Sequence, residues 1–278
     1  MAAQQQVWLI TGASAGFGKA FAEYGIAQRH HVVVAARSPD KLEAIRAAAP
    51  DQVEAVRMDV NDPEQVAAGV RQALGRFGRV DVLFNNAGYG IVGAAEETPE
   101  AELRAQMETN FFGAVAVTQA LLPHFRQQRA GAIVNMSSLG GQTSFAGFSA
   151  YSASKFALEG YSEALAEEMA AFGVKVLIVE PGAFRTNFAG AALRHMPALA
   201  AYEPVVGGTR AFARGMDGSQ AGDPLKAAAA IDAALRAEHT PLRLQLGPDA
   251  VAAVEAHAEN LLRDLSTWRQ TALQTTFD

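Results

Sequence analysis

The sequence predicts an α/β fold, a doubly wound parallel sheet with helices on both faces. Six short apolar runs rich in Val, Ile and Leu alternate with helical patterns from Val7 to Val179, as expected of strands buried on both sides. Small, amide and hydroxyl residues follow runs one, two, four, five and six, so one edge of the sheet gathers the residues able to meet a ligand. Neither an internal repeat nor a shift in composition marks a second domain, and residues 1–278 read as one domain.

Composition excludes several classes. Half of the 278 residues are hydrophobic and 19% are charged, the balance of a soluble globular chain able to bury a full core. A net charge of -6 with no basic cluster argues against a nucleic-acid partner. No cysteine is present, so disulfides and thiolate metal sites are excluded, and the six histidines form no ligand spacing. The first residues, MAAQQQVWLITGAS, lack the basic and apolar regions of a secretory signal, and no apolar run is long enough for a membrane. A cytoplasmic protein is expected.

The first strand, Val7–Thr11, stops at glycine and leads through GASAGFG into a helical pattern. Gly12, Gly16 and Gly18 are spaced G-x-x-x-G-x-G. They allow a tight turn and close approach of a pyrophosphate, while the helix N-terminus offers free N–H groups. The second strand, His31–Ala36, carries Ala36 where an NAD site usually has an acid for the ribose 2′-hydroxyl. Arg37 follows, and a guanidinium pairs with a 2′-phosphate, so NADP(H) is expected over NAD(H). Residues 53–60 read as the third strand, with Asp59 either accepting from an adenine amino group or capping a turn. Asp62-Pro63 opens a helix. The fourth strand, 80–84, ends at Asn85-Asn86-Ala87-Gly88.

A long helical stretch covers 99–129 with Asn110 in its middle, a poor residue for a helix interior. It reads either as a satisfied polar contact between helices or as a local break whose freed carbonyl holds a water. The fifth strand, Gly131–Met136, leads to Ser138. Tyr151 and Lys155, four apart on a helix from about Ser149, share one face. An ammonium one turn away favours the phenolate, which would fit the tyrosine for acid–base work near neutral pH, and the Ser138 hydroxyl can hold a substrate oxygen. The sixth strand, 174–179, runs into Glu180-Pro181-Gly182-Ala183-Phe184-Arg185-Thr186.

Residues 187–223 break the rhythm, with Phe188, Leu193, Met196, Leu199, Tyr202 and Val205 scattered among Ala and Gly. An insertion at the ligand edge suggests a lid over an apolar substrate; packing on the core or on a partner subunit is the other reading. A helix at 225–237, a strand at 242–246 and a terminal helix at 249–273 complete the chain.

Thr11-Gly-x-x-x-Gly-x-Gly18, Asn85-Asn-Ala-Gly88, Asn110, Ser138, Tyr151-x-x-x-Lys155 and Pro181-Gly182 occur in the order and context of the short-chain dehydrogenase/reductase family, which the chain resembles from about Val7 to Thr186. The resemblance implies a Rossmann-type fold with a seven-stranded parallel sheet and hydride transfer between nicotinamide and a carbonyl or alcohol carbon. It implies that Tyr151 is the general acid or base, that Lys155 lowers its pKa and binds the nicotinamide ribose, that Ser138 orients the substrate oxygen, and that Asn110 holds a proton-relay water. Gly12, Ser14, Gly16, Phe17 and Gly18 match the cofactor loop, and Arg37 the position associated with NADP. Asp59 and Val60 match adenine contacts; Asn86, Ala87 and Gly88 match the adenosine ribose. Pro181, Gly182, Phe184 and Thr186 fall at the nicotinamide end. The Phe-rich tail and Glu180-Pro-Gly resemble the branch of 17β-hydroxysteroid dehydrogenases and retinol reductases. Members commonly form homodimers or homotetramers through the long helices carrying the asparagine and tyrosine.

Two rival functions fit the same fold. A non-catalytic NADP(H)-binding sensor would have no need of Ser138, Tyr151 and Lys155 together. An NAD-dependent alcohol dehydrogenase working oxidatively would keep an NADH preference after loss of the Arg37 side chain.

Overall fold

Alternation along Val7–Thr11 decides where the layers of helices go, because successive side chains of a strand point to opposite faces. In the computed structural model, which describes residues 5–277, Trp8 and Ile10 pack on one face with Phe21, Phe84 and Ile231. Val7 and Leu9 pack on the other with Val117, Leu121 and Leu165. The first face is covered by helices Gly16–Ala27 and Pro224–Arg236, the second by Pro63–Phe77, Gly113–Gln128 and Ser149–Ala170. Phe84 sits between Trp8 and Phe21, with ring centroids 4.9 and 5.0 Å away. Truncating a ring so enclosed costs about 3–5 kcal/mol.

The strands are β1 Val7–Thr11, β2 His31–Ala36, β3 Val53–Arg57, β4 Val82–Asn85, β5 Gly90–Val92, β6 Gly131–Met136, β7 Val174–Pro181, β8 Leu193–His195 and β9 Arg243–Leu246. Seven of them form one sheet in the order β3-β2-β1-β4-β6-β7-β9, every pair parallel. The chain winds outward from β1 through β3 and returns to β4 on the other side. The switch therefore lies between β1 and β4, where the carboxyl ends of two strands leave a crevice.

Two strand bounds are corrected, and two stretches gain detail. The third strand ends at Arg57, leaving Met58, Asp59 and Val60 in the following turn. The fourth begins at Val82 rather than Val80, because the Asp81 carboxylate caps the first strand, accepting from the Val7 N–H at 2.8 Å. The long helix is interrupted by a π-helical turn at Glu108–Phe112. Residues 187–223, where the rhythm breaks, carry elements of their own: β8 pairs with β5 in a small parallel ribbon, and Glu203–Gly215 is a helix. Three-residue strands carry too little pattern to be read from sequence. Among the described residues no helix is long and apolar enough to cross a membrane.

Candidate active site

The glycine-rich turn is fixed by main-chain geometry. Gly12 and Gly16 have φ of 66° and 54°, the left-handed region that a side chain disfavours. A Cβ at Gly18 would lie 2.5 Å from the Gly12 carbonyl oxygen. The Thr11 hydroxyl accepts the N–H groups of Asn86 and Ala87 at 3.0 and 3.1 Å and donates to the Phe84 carbonyl. Asn86 Nδ2 donates to the Thr11 carbonyl at 2.9 Å. The ends of β1 and β4 are thus bolted together across the switch point. The helix that follows begins after Ala15 with no side-chain cap, so its first N–H groups face the crevice unpartnered by a side chain.

One cavity of about 1020 Å³ opens along this edge. Gly12, Ser14, Gly16, Phe17, Arg37, Asp59, Val60, Asn86, Ala87, Gly88, Ser138, Tyr151, Lys155, Pro181, Gly182, Phe184 and Thr186 all line it. Gly18 and Asn110 stand behind the wall, as spacers rather than lining. Asp59 takes the turn-capping reading, its Oδ1 accepting from the Asn61 N–H at 3.1 Å, while still lining the cavity. Arg37 is exposed and makes no ion pair among the described residues.

Ser138 leaves β6 in extended backbone, and its Oγ accepts the Gly140 N–H at 3.1 Å, capping the turn Leu139–Gly141. Tyr151 and Lys155 lie buried one turn apart on Ser149–Ala170. Lys155 Nζ donates to the Met136 carbonyl at 2.7 Å and stands 5.8 Å from the Tyr151 ring centroid. Burial pushes the Tyr151 phenol up to about 12, against a downward pull from the Ser138 hydroxyl. Burial pushes the Lys155 ammonium down to about 8, with the Glu159 charge opposing. The phenol therefore moves up, where the neighbouring lysine is expected to bring it down: burial sets the direction, and the opposing pull comes from the Ser138 hydroxyl. A phenol of this kind stays protonated near neutral pH and is a donor.

Asn110 is a satisfied polar contact between helices and sits at a local break. It occupies the π turn, which is the local break, and its side chain is satisfied: Oδ1 accepts the Tyr89 N–H at 3.0 Å, while Nδ2 donates to the Tyr89 carbonyl and Ser154 Oγ, each at 2.9 Å. A π turn shifts the ladder by one residue and changes which carbonyls are paired.

Of the scattered apolar residues, Phe188 and Leu193 line the cavity, with the Phe188 ring 5.4 Å from Tyr151; Met196, Leu199, Tyr202 and Val205 do not. Phe145, Phe148, Phe212 and Met216 complete an apolar wall that sequence reasoning missed. The wall is held by a buried ion pair between Glu97 and Arg210, also missed, whose partners are 113 positions apart. Glu97 accepts from the Ala94 and Leu199 N–H groups, and Arg210 Nη1 donates to the Met196 carbonyl at 2.8 Å. The Leu199 amide, then burial acting against it, dominates a carboxyl held below its usual range. Behind Lys155, buried Glu159 and Glu180 share Arg243, whose Nε lies 3.0 and 3.3 Å from them. Burial raises Glu159, and burial together with the Glu159 charge pushes Glu180 up to about 7. The one sequence signal for this cluster was Glu159 standing a turn after Lys155.

Comparison with known proteins agrees with this geometry. The family model described as short chain dehydrogenase matches residues 6–196. A 3-ketodihydrosphingosine reductase of Bacteroides thetaiotaomicron is 46% identical over 186 residues, 66% of each chain. Among solved structures, a short-chain dehydrogenase from Streptomyces avermitilis is 50% identical, with a TM-score of 0.94 over 99% of this chain and 100% of that one. A short chain dehydrogenase/reductase from Burkholderia phymatum in complex with NAD is 26% identical, with a TM-score of 0.83 over 95% and 96%.

Proposed function

The chain is a short-chain dehydrogenase, and within that family we propose that it transfers hydride between NADP(H) and the carbonyl or secondary alcohol carbon of a small, apolar substrate. The observation that carries this reading is the meeting, in one cavity, of Ser138, Tyr151 and Lys155 with an uncapped helix N-terminus. The cradle fits a dinucleotide. Cβ atoms at Gly12 and Gly18 would collide with Ala87 and the Gly12 carbonyl, so the backbone presents bare N–H groups where a pyrophosphate would rest. Arg37, free of protein partners among the described residues, suits a 2′-phosphate. Ser14, Gly16 and Phe17 would hold the phosphates; Asp59 and Val60 the adenine; Asn86, Ala87 and Gly88 its ribose; Pro181, Gly182, Phe184 and Thr186 the nicotinamide. When bound, the nicotinamide supplies or receives the hydride.

The protein's own groups do the rest. Ser138 and Tyr151 hydroxyls hold the substrate oxygen, and Tyr151 donates its proton as the carbonyl is reduced. Lys155, anchored on the Met136 carbonyl, places its ammonium beside the phenol and eases the departure of that proton. Asn110 holds the π turn against Tyr89 and keeps a carbonyl available for a relay water. Phe145, Phe148, Phe188 and Phe212 favour an apolar substrate body, and the Bacteroides relative is named a 3-ketodihydrosphingosine reductase. Phe112 and Phe156, exposed on the two long helices, support a homo-oligomer through that face.

The test is oxidation of NADPH and NADH against a panel of apolar ketones and aldehydes, with cofactor binding followed alongside. Turnover favouring NADPH is expected, and Arg37→Ala should lower the NADPH-over-NADH discrimination by about 10–100-fold, the worth of a charged hydrogen bond. A preference for NADH unchanged by Arg37→Ala would favour the oxidative alcohol dehydrogenase. Tight binding with no turnover across the panel would favour the sensor.

A further inference from the structure

The helix Pro248–Leu273, 26 residues long, leaves the body of the molecule. At its root Ala250 is buried and Ala253, Val254 and His257 are half-buried, but every residue from Ala258 to Leu273 is exposed. At 1.5 Å per residue the exposed part extends roughly 24 Å. A helix of that length is marginal in water unless an apolar face is packed. Such a face exists. Val251, Val254, Ala258, Leu261, Leu265, Trp268 and Ala272 follow one another at alternate spacings of three and four, the stripe by which two helices pair. Leu261, Leu265 and Trp268 are 57%, 58% and 64% exposed.

We infer that this stripe is covered by the same helix of a second copy of the chain, lying antiparallel about a two-fold axis near residue 263. Charge sets the direction: Asp249, Glu255 and Glu259 fill the first half without a Lys or Arg, while Arg263 and Arg269 lie in the second. Antiparallel pairing brings Glu255 beside the partner's Arg269, whereas parallel pairing would set the acidic first half, with Asp249, Glu255 and Glu259, against its own copy. The same register sets Leu261 against the partner's Leu265 and Ala258 against the partner's Trp268, small facing large. It also brings Leu262 onto its own counterpart across the axis. That accounts for Leu262, which lies off the stripe yet is apolar and 66% exposed. On the opposite flank Asp264 approaches its counterpart, a local repulsion. Two such helices would bury on the order of 1,200 Å², the lower range of a specific interface. The flanks carry more acid than base, unlike a helix that lies on an anionic membrane. This face is separate from that of Phe112 and Phe156, and two distinct two-fold contacts build a tetramer.

The full chain's mass is measured by sedimentation, alone and as the double variant Leu261→Asp/Leu265→Asp. The mass should halve in the variant while the cofactor still binds; an unchanged mass overturns the inference. As the chain has no cysteine, Leu262→Cys gives a clean second reading. Oxidation should yield a covalent dimer from Leu262→Cys and none from Ala272→Cys. A covalent dimer from Ala272→Cys, with or without one from Leu262→Cys, would mean parallel helices, and none from either, no pairing. Asp264→Asn should slow dissociation on dilution several-fold. Binding of the full chain to phosphatidylglycerol vesicles, lost in the double variant with mass unchanged, would make the stripe a lipid contact instead.

Discussion

The two ends of the cavity are held by different means. At the β1/β4 edge, shape comes from main-chain atoms: two glycines at positive φ, a third with no room for a Cβ, and the Thr11 and Asn86 side chains spent on carbonyls and amides. Across the cavity, the wall from Ala183 to Met216 rests on a three-residue ribbon, one buried ion pair and aromatic side chains. A backbone cradle recognises what every dinucleotide shares and changes little when neighbouring side chains change. A side-chain wall can be rebuilt by substitution without disturbing the sheet, so the proposed function puts substrate choice there.

The largest effect is expected where the two ends meet. Tyr151→Phe removes the proposed proton donor and should cut turnover by about 10²–10⁴-fold, with NADPH binding within twofold of wild type in a fluorescence titration. Turnover near wild type would place the chemistry elsewhere. Next come paired glycines. Gly18→Val drives a side chain against the Gly12 carbonyl and should weaken NADPH binding more than tenfold. Gly208→Ala, in the helix Glu203–Gly215 with open space around it, should leave that binding unchanged and raise the melting temperature slightly. Equal losses from both would erase the distinction between cradle and wall.

Arg210→Met strips the partner from Glu97. It should lower the melting temperature by roughly 5–10 °C and raise KM severalfold, while the NADPH dissociation constant holds. A shift in cofactor affinity as large as that in KM would show that the two ends are mechanically one. The smallest effect is a pH dependence of stability. Glu180, pushed up to about 7, keeps a proton in the native state that the unfolded chain releases near 4.5. Its contribution is full below that lower value and lost as pH climbs to about 7. The melting temperature should fall between pH 5.5 and 7.5, and Glu180→Gln should flatten that slope.

Sequence by itself determined the β-α alternation, the glycine-rich turn after β1, the Tyr151/Lys155 spacing and the terminal helix. Each is written in neighbouring residues: β-branched runs, glycine at a strand's end, a four-residue step along one helix, an alternating three-and-four stripe. Tertiary structure decided what depends on residues far apart. Glu97 found Arg210, Glu159 and Glu180 found Arg243, and β5 found β8 only once the chain had closed on itself. Tertiary structure also reversed one expectation. From four-residue spacing alone the lysine should lower the tyrosine, but spacing says nothing of burial, and in this cavity desolvation raises the phenol and depresses the ammonium. Charges are placed by local sequence; the dielectric around them is set by everything folded on top.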